Sequence, residues 1–280
     1  MSGTSFDGVD AALIKTDGKE YIKNIYSSFV KYDSFEREIY YNSFFQNFNK
    51  ISEIINKKHI LAIEEVYKKV SCKIDVIGLH GQTIKHNPKE KWTWQLINPL
   101  LIVKKFNTNI ISDFRINDIN NGGEGAPLVP IFHEKIILKK KLKLPSAILN
   151  IGGISNVTIL DQSRNLIGFD LAPGNGPLDF LINKRLNLKM DYMGKISKKG
   201  KVNKIIKNKT INLFESKTSS NSYDRSIIDS ICVKYMNSLN TRDALATLVD
   251  IITHLIVKKL KNFKIKSLIV TGGGRKNNSI

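Results

Sequence analysis

The sequence predicts a two-domain α/β protein, and three observations predict it. Apolar runs of strand length alternate with stretches of helical periodicity, the pattern of strands joined through helices. The order strand, glycine turn, strand, strand, helix occurs near the start and again from Ala147, a repeated organisation without repeated residues. At 280 residues the chain is long enough to bury two cores. Residues 1–140 are read as one domain and 141–280 as the second, with the basic run Lys139–Lys143 at the crossing.

Gly3, Thr4, Ser5, Phe6, Asp7, Gly8, Val9 and Asp10 open the chain with small, hydroxyl and acidic groups in one turn. Such a turn offers backbone and hydroxyl donors to phosphate, and Asp7 could hold a phosphate-bound Mg²⁺, directly or through water. A hairpin turn with a surface aspartate is the plainer alternative. Val9–Ile14 reads as a strand, Asp17-Gly18 as a turn and Tyr21–Val30 as the next strand. Only Met1 and Ser2 precede the first glycine turn, so a strand is expected to be missing there.

Ser34–Val70 has helical spacing, with apolar positions such as Ile51, Ile54, Ile55, Leu61, Val66 and Val70, and the aromatics of Tyr40–Phe48 as core filling. Ile74–Leu79 reads as a strand ending in His80-Gly81-Gln82-Thr83, whose polar groups can read sugar hydroxyls or simply cap the strand. His80 and His86 lack the further ligands a zinc site needs. Pro99–Phe106 is expected to be helical and Asn109–Ser112 a strand. Arg115 follows, whose guanidinium matches a carboxylate bidentately; Asp113 and Asp118 are alternative scaffold partners. Gly122–Pro127 is a glycine-rich loop of the kind that is functional or mobile.

In the second half, Ala147–Asn150, Val157–Leu160 and Leu166–Phe169 are apolar runs around the turn Gly152-Gly153, with Asp170 read at a strand's end before a Pro-Gly-Asn-Gly loop. Ligands collect at strand ends in open sheets, and glycines let backbone N–H groups approach anions. This points to a phosphate cradle at Gly152 and Gly153 and a catalytic carboxylate at Asp170, with an ordinary hairpin and turn aspartate as the alternative. Leu178–Leu188 and Asp224–Met236 read as helices, and Thr241 as the cap of a long helix through Phe263. Lys266–Val270 reads as a strand into Thr271 and Gly272, Gly273, Gly274, glycines that admit a base or ribose or simply open a helix.

Hydrophobic content of 41% and charged content of 25% fit a soluble globular protein, and no apolar run reaches bilayer length. The start has no basic region and apolar run of a secretory signal, and the two cysteines, Cys72 and Cys232, fit reduced thiols in a cytoplasm. The net charge of +19 invites a nucleic-acid reading. The lysines are spread along the whole chain without an arginine-rich arm, so neither a nucleic acid nor a membrane is expected as partner.

The doubled plan resembles the sugar kinase, heat-shock ATPase and actin fold, that is, a duplicated actin-like, ribonuclease H-like ATPase fold with the nucleotide in a cleft between two domains. No Gly-x-x-x-x-Gly-Lys-Ser/Thr motif is present, which disfavours a P-loop kinase. Within that fold the residues resemble the anhydro-N-acetylmuramic acid kinases of peptidoglycan recycling. The resemblance rests on Met1–Asp10, His80–Thr83, Asp113-Phe-Arg115 with Asp118, Gly122–Pro130, Asn150–Asn156, Gly168–Asp170 with Pro173–Asn175, and Thr271–Gly274. It implies a cytoplasmic enzyme that uses ATP and Mg²⁺ to phosphorylate 1,6-anhydro-N-acetylmuramic acid at O6 while water opens the anhydro bridge. It also implies Asp170 as general base, Gly3–Asp10 and the later glycines at ATP, and His80, Gln82, Thr83, Arg115 and Asn175 at the sugar. A homodimer is a further implication.

Family members begin a strand earlier and run beyond the triple glycine, so a shortened chain is expected, with an inactive nucleotide-binding relic as the alternative. Glu124 stands where many members have Gln, and Asn221–Arg225 matches the family's Lys-Ser segment only loosely.

Overall fold

The computed structural model describes residues 1–3, 6–217 and 225–280. The readings that fall on Thr4, Ser5 and residues 221–224 lie outside the described residues. The chain divides into two compact units, Met1–Gly125 and Ala126–Ile280.

In the first unit, β1 (Gly8–Thr16) and β2 (Ile22–Lys31) form an antiparallel hairpin. Its turn forms where the sequence puts Asp17-Gly18. One carboxylate oxygen of Asp17 accepts from the backbone N–H groups of Lys19, Glu20 and Tyr21, and Gly18 supplies φ +74°. The expected single helical stretch is two helices, α1 (Ser34–Asn42) and α2 (Phe48–Lys69). The break falls where the Asn47 amide bonds back to the Ser43 hydroxyl, at 2.8 Å, an alternative that Ser and Asn offer the backbone. That turn carries Phe44 edge-on against Tyr40, Phe48 and Trp94, whereas Tyr41 and Phe45 remain exposed.

Next come β3 (Val76–Gly78), β4 (Gln82–Asn87), β5 (Trp92–Leu96), α3 (Pro99–Phe106), β6 (Asn109–Ile111) and α4 (Phe114–Asn120). β4 and β5 pair as a hairpin and β3 lies parallel to β6. Ser2 bridges to Val9 on one side and Gln82 on the other, tying the first hairpin to the second. Apolar residues gather in two groups, one around Phe6, Tyr32, Ile51 and Ile55, the other around Ile63, Leu79 and Ile102.

The second unit contains α5 (Pro130–Lys139), β7 (Ser146–Ile151), β8 (Ile154–Leu160), β9 (Leu166–Pro173), α6 (Gly176–Leu186), α7 (Lys204–Lys217), α8 (Arg225–Val233), α9 (Thr241–Lys261) and β10 (Ser267–Thr271). Its sheet has the order β10-β7-β8-β9, with β10 parallel to β7 and the other pairs antiparallel. One face of this sheet, with Leu149, Val157, Ile159 and Leu171, packs on Leu181, Ile182, Phe214, Leu248 and Ile252 of the helices. On the other face, Ile137 of α5 covers Ile148 and Leu160. Each such side chain removed from water contributes about 1.5–3 kcal/mol.

Among the boundaries that differ from the sequence reading are those of α9 and β9. The cap of α9 is Asn240, whose side chain accepts from the Asp243 N–H at 3.0 Å, with Thr241 the first helical residue. β9 runs on to Pro173, so Asp170 lies within the strand, opposite Asn156, not at its end. A register shift between Ser155 and Asn156 lets β9 continue past the aspartate. No described helix is long and apolar enough to cross a membrane. Cys232 is buried and Cys72 exposed, both unpaired.

Candidate active site

The second unit lines up its candidate residues by strand register. Thr271 pairs with Asn150, Asn150 with Asn156, and Asn156 with Asp170. Residues directly opposite share a face of the sheet, so four polar side chains form one row across the sheet. The half-buried Asp170 closes that row.

Glycine turns border the row. The Gly152 carbonyl accepts from the Asn175 N–H at 2.7 Å, and the Gly153 carbonyl accepts from the N–H groups of Gly174 and Gly176 at 3.1 and 3.0 Å. The Gly152 N–H itself donates to Ile154 within the hairpin. A Cβ at Gly174 would lie 2.2 Å from the Gly152 carbonyl oxygen, so the loop passes too close for any side chain. Gly272, at φ +81°, leaves room for the Asn150 side chain, and a Cβ on Gly273 would lie 3.7 Å from the Asn175 amide. Asp170, Gly152, Gly153, Asn175, Gly272, Gly273 and Gly274 are thus gathered at one end of one sheet. Asn175, expected at the sugar, stands among the glycines expected at the nucleotide.

The first unit gathers its residues around Arg115. The guanidinium Nε donates to His80 Nε2 at 2.8 Å and Nη1 donates to the Gly125 carbonyl at 2.7 Å. His80 Nε2 must therefore be the unprotonated nitrogen, leaving Nδ1–H to donate to the Gly81 carbonyl at 2.9 Å. Burial, with Arg115 adding to it, pushes the His80 pKa down to about 4, so the ring is neutral at physiological pH. The Gly125 N–H donates to the Asp118 carboxylate at 2.7 Å. Arg115 and Asp118 thus hold the same glycine from its two sides and fix the end of the glycine-rich loop. His86 bonds Thr93 Oγ1 through Nδ1 at 3.0 Å, and burial lowers its pKa too.

Gln82 is fully buried, and its amide donates to the Tyr40 hydroxyl at 3.4 Å. Gln82 Oε1 and Thr83 Oγ1 are buried without a hydrogen-bond partner among the described residues. Phe6, at φ +45° and fully buried, is stacked between Tyr32 and Tyr40 with both ring centroids at 3.8 Å. Val9 is buried and Gly8 is pressed against Phe29, while Asp7 and Asp10 are exposed at the head of β1. Partial desolvation raises the Asp10 pKa, with the Met1 amino group opposing the rise and the Asp7 charge adding to it.

These features meet a known family. The profile of the anhydro-N-acetylmuramic acid kinases matches residues 1–280. The chain belongs to this family. A relative named anhydro-N-acetylmuramic acid kinase from Pelagibacter ubique is 36% identical over 302 residues, covering 100% of this chain and 80% of its own. One of the same name from Zymomonas mobilis is 32% identical over 306 residues, covering 99% and 80%. Among solved structures, glucokinase from Balamuthia mandrillaris aligns over 99% of this chain and 79% of its own, at 14% identity and a TM-score of 0.30. A likeness at that level carries no argument. Family membership makes the chain a kinase with ATP as phosphoryl donor.

Sequence reasoning passed over Asn150 and Asn156 as site residues. Their signal was present, since an apolar strand with asparagine at matching positions of a hairpin asks for a reason. The contact of His133 with Thr158 carried no such signal, because it joins α5 to β8 across 25 residues.

Proposed function

We propose that the chain converts 1,6-anhydro-N-acetylmuramic acid, water and ATP into N-acetylmuramic acid 6-phosphate and ADP, in cytoplasmic recycling of peptidoglycan. The observation that carries this reading is Asp170 at the end of a polar row, bordered by two glycine turns, in a member of this kinase family. In the reaction, the Asp170 carboxylate takes a proton from water as its oxygen attacks C1 of the sugar. The C1–O6 bond breaks, O6 attacks the γ-phosphorus, and the bond from that phosphorus to the ADP oxygen breaks. A carboxylate held by strand register supplies both orientation and a proton acceptor.

The glycines at 152, 153 and 272–274 and the Gly3–Asp10 segment serve ATP. His80, Gln82, Thr83, Arg115 and Asn175 serve the sugar. The two unpartnered oxygens, Gln82 Oε1 and Thr83 Oγ1, support a ligand with donors there, since buried polar atoms in native proteins are rarely left unmatched. Arg115, already aimed by His80 and Gly125, suits the lactyl carboxylate. Asp7 and Asp10 offer hard carboxylate oxygens of the kind Mg²⁺ takes. The ion, when bound with ATP, would neutralise charge on the phosphates.

The test is Asp170→Asn, assayed for ADP release with the anhydro sugar. Turnover is expected to fall by roughly 10³-fold, within the range for loss of a general base, with ATP affinity retained by calorimetry. Unchanged turnover would remove Asp170 from the chemistry.

A further inference from the structure

The sheet face that carries Asp170 is covered, one step further in, by a contact the chemistry above does not use. Thr158 lies opposite Gly168, and both are two residues from the Asn156–Asp170 pair on the same strands. With side chains alternating between faces, Thr158 and Gly168 therefore share the face of Asp170. α5 seats on this step at two points. His133 Nδ1 lies 2.7 Å from the Thr158 hydroxyl, and Thr158 is 1% exposed. At Gly168 a Cβ would stand 2.6 Å from Pro130 Cγ and 3.1 Å from Pro127 Cγ, so the bare backbone is a slot for the two prolines. One turn further along α5, Ile137 makes the ordinary apolar contact with Ile148 and Leu160.

Apolar contacts such as that of Ile137 hold a helix on a sheet but tolerate small slides. An imidazole bond to a buried hydroxyl does not, because its strength depends on direction and breaking it strands the Thr158 hydroxyl. Strands β8 and β9 are thus clamped to a helix two residues before the catalytic carboxylate. We propose that His133 and Thr158 are positioning residues for Asp170, fixing where β9 presents its carboxylate to the attacking water. The inference rests on the role assigned to Asp170.

Thr158→Val keeps the shape and removes the hydroxyl. A misplacement well under 1 Å is enough to be read in kcat, and the expected result is a fall in kcat of about tenfold with KM for ATP within about twofold of wild type. Thr158→Ser restores the hydroxyl and is expected to restore kcat. His133→Leu, a second variant should Thr158→Val fold poorly, is expected to behave as Thr158→Val does, and His133→Asn to keep most of the activity.

A folded Thr158→Val or His133→Leu enzyme with wild-type kcat overturns the proposal, as does a loss that Thr158→Ser leaves unrepaired. Asp170→Asn belongs in the same series. If it keeps its turnover, or if the wild-type chain has none, the functional reading fails and this inference fails with it. If it is inactive while Thr158→Val is normal, only the positioning role is lost.

Discussion

The two units differ in how they carry their candidate residues. In the second unit a continuous four-stranded sheet sets the spacing of the site, and Thr271, Asn150, Asn156 and Asp170 stand in line because register puts them there. In the first unit the strands form three separate pairs, joined in part by the bridges of Ser2, and the site depends on side-chain bonds radiating from Arg115. Register is a backbone property that tolerates side-chain change. A network around one guanidinium is lost with that guanidinium. The first unit therefore has more to lose from single substitutions at its anchors, and the second from any change that shifts backbone.

The largest expected effect tests the anchors. Phe6→Ala removes a fully buried ring from between Tyr32 and Tyr40, and the cavity left is expected to cost about 4 kcal/mol. In chemical denaturation this is expected as a transition of the first unit moved to lower denaturant, with the second unit's transition in place. A single transition that moves as a whole would show that the units unfold together and blunt the contrast.

Next comes a matched pair of glycines. Gly174→Ala would drive a methyl to 2.2 Å from the Gly152 carbonyl oxygen, where backbone must move, at an expected cost of about 3 kcal/mol. Gly122→Ala, at φ +90° with nothing within 4 Å of the added carbon, carries only conformational strain of about 1 kcal/mol. Thermal melts of the two variants should rank in that order. Equal shifts would mean that the loop after β9 yields as readily as the open loop of the first unit.

Much of this arrangement was legible in the sequence, for reasons the same contrast explains. Asp17-Gly18, the strand pattern around Gly152-Gly153 and the apolar spacing of α9 are local signals, and each formed where residue chemistry put it. Asp170 was visible as a lone acid in an apolar run, yet its place inside β9 was not, because the register shift at Ser155 depends on pairing with another strand. The break after α1 was hidden by continuous helical spacing, although Ser43 and Asn47 supplied the bond that makes it. Arg115 stood out in the sequence as a match for a carboxylate; that its Nε meets a neutral His80, 35 residues away, is a tertiary fact no spacing encodes.

The smallest expected effect is a slope. His59, 1% exposed on α2, bonds the Ile55 carbonyl through Nδ1 at 2.8 Å, while its Nε2 is buried without a hydrogen-bond partner among the described residues. Burial pushes its pKa down to about 3 in the folded chain, against an unfolded value near ~6.5. As pH falls below that unfolded value, the unfolded chain takes up a proton that the folded chain refuses. Stability is therefore full above the unfolded pKa and declines as pH falls toward the folded one, by up to about 1.4 kcal/mol per pH unit for this group. Denaturation of the first unit at pH 7, 6 and 5 should show that decline, and His59→Gln should flatten it in part, the remainder belonging to His80, His86 and the Met1 amino group, which burial also holds low. The second unit's half-buried imidazole, His133, is lowered by the same cause but is bonded to Thr158. If His59→Gln leaves the slope of the first unit unchanged, the acid sensitivity lies in its other buried groups, His80, His86 and the Met1 amino group, and not in α2.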